Sequence, residues 1–473
     1  MTTFDSFQSL GLCLFLLINI SRADFSQDIS SPKIYPACKT ETYSRDSNII
    51  GVVKPSDLLM PAFGPDAIHK VVAPAIHRFR RKLLELPDFE EDCTADDYQL
   101  QSINTIEIHV SSANIRLLHG VDESYDISIQ QNSSFATLKA VTVFGIVRGL
   151  ETLGQLLEFG WTSKEDKEQR FIIEDIPLSI QDTPSFEYRG LLIDTSRHYL
   201  PLTLIYANLD AMAMNKLNVL HWHLTDSNSF PYKAKSMPEL AEKGAYYPKL
   251  IYTTVDIQNI VDEAYLRGIR VIPEIDMPGH SMSIGRSHPE LLSPCLDSPP
   301  WFDEPLDPTN PKVYDFVEAL YKDLIDIFPD QLIHVGGDEV NLNCWKKSKQ
   351  ISKWMKDHNM TDEVQLYEYF ETRLLSIVNV SKKTPIVWQE VFNLNLTISD
   401  DTIVDVWKGF DTKTIEQATN QSFRVIVSGC WYLDNLDQSF QKFYTCDPRN
   451  FTGNHDLVIG GHASMWGEHV DAR

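Results

Sequence analysis

The stretch HVGGDEVNLNCW, residues 334–345, follows the apolar end of DQLI with two glycines and two adjacent carboxylates, Asp338 and Glu339. Neighbouring carboxyl groups in a partly desolvated site repel each other, so one is pushed toward its protonated form and suits a general acid while the other stays charged. On a solvated turn the same pair would have no such use, so its surroundings decide. Trp388, Trp407, Trp466 and Tyr432 each fall at or near the end of an apolar run, in company with Arg197, Asp434 and Glu468. Aromatic faces stack on the apolar faces of a sugar ring, a guanidinium donates to ring hydroxyls and carboxylates accept from them. Together these groups describe a carbohydrate pocket. The histidines of HWH, His221 and His223, share one strand face and with His280 and Asp338 offer a donor set for a metal-dependent hydrolase. The preferred reading has them filling the interior with hydrogen-bonded nitrogens, so that no metal and no other cofactor is expected.

Such residues need a scaffold that gathers strand ends. From Arg189 onward eight β-rich runs recur: RGLLIDTSRH, NVLHWHLTD, RVIPEIDMPGH, LIHVGGDE, TPIVWQEVF, TIVDVWKG, RVIVSGCWYLD and LVIGGHASMWGE. Stretches with helical spacing, among them TLIYANLDAMAMNKLN, TVDIQNIVDEAYLRG and NPKVYDFVEALYKDLIDIFPD, lie between them. The alternation predicts an α/β fold, a (β/α)8 TIM barrel over residues 189–473 with its active site at the C-terminal strand ends; a doubly wound open sheet is the alternative. Ahead of it, NTIEIHVSS, SYDISI and LKAVTVFGIVRGLETLGQLLEF predict a small α+β domain over residues 24–171, with residues 172–188 as a strand pair and connector. Adjacent side chains on an extended strand point apart. A sharp change of direction at Gly336 and Gly337 would let Asp338 and Glu339 address one ligand.

Composition narrows the setting. The chain has 473 residues, 43% hydrophobic, with net charge −24, which disfavours nucleic acid and anionic membrane surfaces as partners. LGLCLFLLINI, residues 10–20, is too short to span a bilayer and precedes small residues ending at Ala23, so residues 1–23 are expected to be a cleaved signal peptide, with an uncleaved anchor as the alternative. No other stretch would insert in a membrane. Entry to the secretory pathway agrees with six N-x-S/T triplets, at Asn132, Asn359, Asn379, Asn395, Asn420 and Asn450. Six cysteines remain beyond the leader, none in C-x-x-C spacing, which favours disulfides over a zinc ribbon.

The strings DTSRHYLPL, NKLNVLHWHLTD, FPY, GIRVIPEIDMPGH, HVGGDEV, VWQEVF, WYLD and MWGEHVD together resemble the family 20 glycoside hydrolases, in particular the lysosomal β-N-acetylhexosaminidases. The resemblance covers nearly the whole mature chain. It implies lysosomal or secreted localisation and removal of terminal N-acetylhexosamine from glycans, glycoproteins or glycolipids, with the substrate's acetamido oxygen as nucleophile. By the same resemblance Glu339 is the acid and base, Asp338 orients the acetamido nitrogen and Tyr432 bonds the acetamido carbonyl. Trp388, Trp407 and Trp466 become walls, Arg197 a clamp on the C3 and C4 hydroxyls, and Asp434 and Glu468 the O4 and O6 side. Asp226 and His280 form a pair beside the acid, the carboxylate fixing the imidazole tautomer. The pairings Cys38 with Cys93 and Cys295 with Cys344 are implied, while Cys430 and Cys446 have no implied partner. Asp434 and Asn435 stand where relatives that accept anionic sugars carry Asn-Arg, so neutral substrates are expected. His462 stands where relatives usually carry a glutamate. The family also continues past the eighth strand into a last barrel helix, which this sequence lacks, leaving homodimerisation in doubt and an inactive sugar-binding protein as the second expectation.

Overall fold

The computed structural model describes residues 40–43, 49–85, 99–160, 170–174, 176–295 and 304–472. The expected leader and the Cys38 and Cys93 pair lie outside these residues. The chain forms two compact units, the first built mainly on residues up to 187 and the second on those from 188 onward.

In the first unit a six-stranded sheet runs in the order Thr40–Tyr43, Leu178–Asp182, Tyr125–Ile129, Phe135–Ala140, Thr105–Val110, Ala62–Phe63. Alternating burial in Thr105–Val110 and Tyr125–Ile129 turns every second side chain toward a core shared with the helices His69–Glu85 and Val143–Leu156. Thr142 caps the second helix by accepting from the Phe144 and Gly145 amides. The span expected as a strand pair and connector contains strands that pair with other segments of the unit. Leu178–Asp182 pairs antiparallel with Tyr125–Ile129, and Arg170–Ile173 pairs with Ile49–Val53 in a second, four-stranded sheet.

All eight predicted runs of the second unit become strands of a closed parallel barrel: β1 (Tyr188–Asp194), β2 (Val219–Thr225), β3 (Arg270–Ile275), β4 (Leu332–His334), β5 (Thr384–Trp388), β6 (Ile403–Val406), β7 (Arg424–Val427) and β8 (Val458–Met465). β8 closes on β1, with Met465 opposite Ile193. Every residue of β2 and β3 is buried, as it must be in a parallel sheet covered on both faces. Residues 466–472 continue from β8 as bends and irregular chain.

The interior is layered by the two-residue period of the strands. At one level each strand contributes one apolar side chain: Tyr188, Val219, Ile272, Leu332, Ile386, Ile403, Ile426 and Ile459. Two residues further along, His221, Glu274, His334, Trp388, Asp405 and Ser428 occupy corresponding buried positions. An apolar floor therefore supports a polar middle, and the chain leaves both toward the barrel mouth.

Two disulfides brace the mouth loops, Cys295 to Cys344 and Cys430 to Cys446. The second pairing was open from the sequence. All six triplet asparagines are exposed.

Ile386 is fully buried in the apolar floor. Ile386→Ala should lower unfolding stability by about 3 kcal/mol, measured by urea denaturation, while leaving ligand affinity at the mouth close to that of the parent.

Candidate active site

The turn after β4 is built from unusual torsions. Gly336, Gly337 and Glu339 have φ of 76°, 102° and 50°. Two of these fall on glycines, which adopt positive φ without a Cβ penalty, and the third on the residue whose side chain the turn presents. Close packing enforces the first glycine as well, because a Cβ there would lie 1.8 Å from Asp276 Oδ1. Three hydrogen bonds fix the turn: Trp388 N–H donates to Gly336 O at 3.0 Å, Gly337 N–H donates to Asp276 Oδ1 at 2.8 Å, and the Tyr367 hydroxyl donates to Gly337 O. The reversal leaves Asp338 buried and Glu339 with its side chain 59% exposed.

His280 joins the two. Its Nε2 lies 3.8 Å from Asp338 Oδ1 and 3.7 Å from Glu339 Oε2, and its Nδ1 faces Asp226 at 3.2 Å. The expected Asp226 and His280 pair is therefore present, with additional partners. Asp226 Oδ2 also accepts from Arg197 Nη2 at 2.8 Å and from His223 Nε2 at 2.9 Å. Burial opposes a charge on Asp226, but His280, His223 and Arg197 together hold its carboxyl far below the usual range.

Beneath lies a second carboxylate. Glu274 Oε2 meets His221 Nε2 at 2.7 Å and His223 Nδ1 at 2.9 Å, and Oε1 accepts from Trp388 Nε1 at 2.9 Å. Burial would lower the His223 pKa, yet Glu274 and Asp226 on its two nitrogens raise it to about 10. Among the described residues the donor atoms of His221, His223, His280 and Asp338 do not gather into one set; His221 instead converges with Glu274 and His334 or with Asp405 and His462, and His280 and Asp338 with Asp276. Burial lowers His334 to about 3, and its neutral Nδ1 accepts from the Gly336 amide at 3.1 Å. His462 meets Asp405 Oδ2 at 2.7 Å, so the residue that departs from the family pattern is absorbed by a buried pair.

The aromatic residues converge on the same mouth. Trp407 and Tyr432 are stacked with centroids 6.1 Å apart, and Trp466 lies 6.4 Å from Tyr432 and 6.1 Å from Trp388. Trp388 is only 1% exposed, so it backs the pocket more than it lines it. Glu390 Oε2 fixes Trp407 through its Nε1 at 2.9 Å. Tyr432 extends the edge of β7 through a parallel bridge to Ser464. Arg197 sits 5.2 Å from the Trp466 ring centre and 3.6 Å from Glu468, while Asp434 is half-buried, its carboxyl raised by burial and then by Glu468.

A model of the glycosyl hydrolase family 20 catalytic domain matches residues 186–473, and a beta-acetyl hexosaminidase like model matches residues 22–156. The chain belongs to glycosyl hydrolase family 20. Beta-hexosaminidase subunit beta of Homo sapiens is 42% identical over 360 residues, 74% of this chain and 63% of that protein. The alpha subunit of Rattus norvegicus is 37% identical over 414 residues, covering 85% and 77%. The X-ray structure of a Flavobacterium johnsoniae chitobiase superposes with a TM-score of 0.77 at 27% identity, over 93% of this chain and 66% of that one. The chain thus spans less than two thirds of the human subunit's length.

Three members of this family 20 site were not picked out from sequence. Asp194 accepts from the Ser196 and Arg197 amides and pairs with the Arg197 guanidinium. Glu274 ties a histidine to a tryptophan. Asp276 faces Asp338: burial, then the charge of Asp338 and a hydrogen bond to it, raise the Asp276 carboxyl well above the usual range. Each ends a predicted strand beside a motif already noted, which was the available signal.

The His223 cation makes stability depend on pH. Its folded pKa of about 10 exceeds the ordinary 6.5, so its contribution is complete below 6.5 and is lost as pH rises toward 10. Thermal unfolding from pH 6 to 10 should therefore show a steeper alkaline fall in Tm for the parent than for His223→Gln; parallel curves would mean that His223 is neutral.

Proposed function

We propose that the chain is an exo-acting β-N-acetylhexosaminidase that removes terminal non-reducing GlcNAc or GalNAc from glycoconjugates with retention of configuration. The observation that carries this reading is the turn of positive φ after β4, which brings buried Asp338 and solvent-reaching Glu339 beside one imidazole.

Glu339, open to the leaving-group side, protonates the glycosidic oxygen and later takes a proton from the attacking water. The 2-acetamido oxygen of the sugar attacks the anomeric carbon to form an oxazolinium ion, so the protein supplies no nucleophile. Asp338 accepts from the acetamido N–H and opposes the positive charge that develops there. Burial pushes the Tyr432 phenol far above its usual range, so it remains a donor to the acetamido oxygen. Arg197 clamps ring hydroxyls, and Trp407 and Trp466 flank the sugar. His280, oriented by Asp226, responds to the changing proton on Glu339.

Asp434 and Glu468 give the O4 and O6 side acidic groups, which favours neutral sugars over 6-sulfated ones. The roles carry over to a protein whose six triplet asparagines are exposed and whose cysteines pair at the mouth, in keeping with passage through the secretory pathway to the lysosome or the exterior. Among the described residues, no helix is long and apolar enough to cross a membrane.

Release of a chromogenic aglycone from β-GlcNAc, β-GalNAc, β-Glc and 6-sulfo-β-GlcNAc at acidic pH tests the proposal. The neutral N-acetylated sugars should react, the sulfated one more slowly and β-Glc negligibly, with kcat falling by about 10²- to 10⁴-fold in Glu339→Gln. Equal rates on β-Glc and β-GlcNAc would rule out acetamido participation, and no turnover by folded protein would leave sugar binding alone.

A further inference from the structure

Glu371 lies on the helix Glu363–Val380, one turn after Tyr367, and is wholly buried. Among the described residues neither of its carboxyl oxygens makes a hydrogen bond. A buried carboxyl without a firm partner is costly and is rarely kept by packing alone. Its surroundings include the catalytic turn. A Cβ placed on Gly337 would come 2.6 Å from Val391 Cγ2, 2.9 Å from Tyr367 Oη and 3.6 Å from Glu371 Oε1.

Gly337 is held through both of its polar groups, its N–H by Asp276 Oδ1 at 2.8 Å and its carbonyl by the Tyr367 hydroxyl. The next two residues are Asp338 and Glu339. We infer that Tyr367 and Glu371 are positioning residues, which fix the Gly337 carbonyl and through it the aim of the two carboxylates. This rests on the reading that Asp338 and Glu339 perform the chemistry.

Hydrogen bookkeeping explains why a carboxylic acid sits there. Burial raises the Glu371 carboxyl well above its usual range, with the Tyr367 hydroxyl acting in the opposite direction. A neutral Glu371 leaves the Tyr367 hydrogen to Gly337, and it brings an O–H of its own to the space beside Gly337 that the Tyr367 hydroxyl also borders. An ionised Glu371 would compete with Gly337 for the same hydrogen, and the turn would lose its anchor. An apolar side chain would bring no donor to that space and free the Tyr367 hydroxyl to rotate.

Three variants separate this role from core packing. Tyr367→Phe removes the hydroxyl, Glu371→Leu removes the donor, and Glu371→Gln keeps a neutral donor of the same shape. On the chromogenic β-GlcNAc substrate, Tyr367→Phe and Glu371→Leu should lower kcat about tenfold with KM changed by less than about twofold, and Glu371→Gln should restore most of it. Hydrogen exchange followed by mass spectrometry should show faster exchange across residues 332–341 in the first two variants and not in the third. Parent-like kcat and exchange in Tyr367→Phe and Glu371→Leu would overturn the inference. So would faster exchange spread evenly over the barrel with kcat per folded molecule unchanged, which is the signature of packing. A loss in Glu371→Gln as large as in Glu371→Leu would remove the part given to Glu371. If the parent hydrolyses none of the sugars, the functional reading fails, and the exchange data still decide whether the pair anchors the turn.

Discussion

A carboxylate inside a protein is tolerated only when cations and donors replace the water it has lost, and the architecture of this site follows from meeting that demand at Asp226. Arg197, His223 and His280 come from three different segments and all reach it. Each is thereby oriented: the guanidinium toward Trp466 and Glu468, one imidazole toward Glu339, the other down toward Glu274. Removing any one of them would leave charge uncompensated in a dry interior, so the group holds as a unit and fixes the pocket before a ligand arrives.

The barrel makes such a cluster affordable by separating layers. One apolar side chain per strand forms the floor, where burial supplies stability without electrostatic cost. The polar layer above it is stitched in pairs, Glu274 with His221 and His223, and Asp405 with His462. The first of those pairs also reaches the back of the pocket, since Glu274 holds Trp388, while outside the layer Glu390 holds Trp407. Floor substitutions should thus register as stability, whereas changes in the stitched layer should register as altered geometry at the mouth.

The acid turn adds backbone strain to this electrostatic frame. Positive φ at Glu339 is uncommon for a residue with a side chain and persists because Gly336 and Gly337 are gripped by Trp388, Asp276 and Tyr367. Strain of this kind aims two sequence neighbours at one volume, which an extended strand would forbid.

From the sequence by itself came the eight strands, their order, the acid pair at the end of β4 and the aromatic and charged residues at the later strand ends. These are local features, period-two burial and strand termini, and a parallel barrel puts every strand end on the same rim. Tertiary structure alone decided that residues 178–182 join the first sheet, that Cys430 pairs with Cys446, that His223 carries charge, and that Asp276, Glu274 and Glu371 bear on the site. Each of those outcomes depends on which groups from distant segments meet, and at what burial. The proton on a carboxyl or an imidazole is set by those neighbours, and residue type and spacing do not contain them.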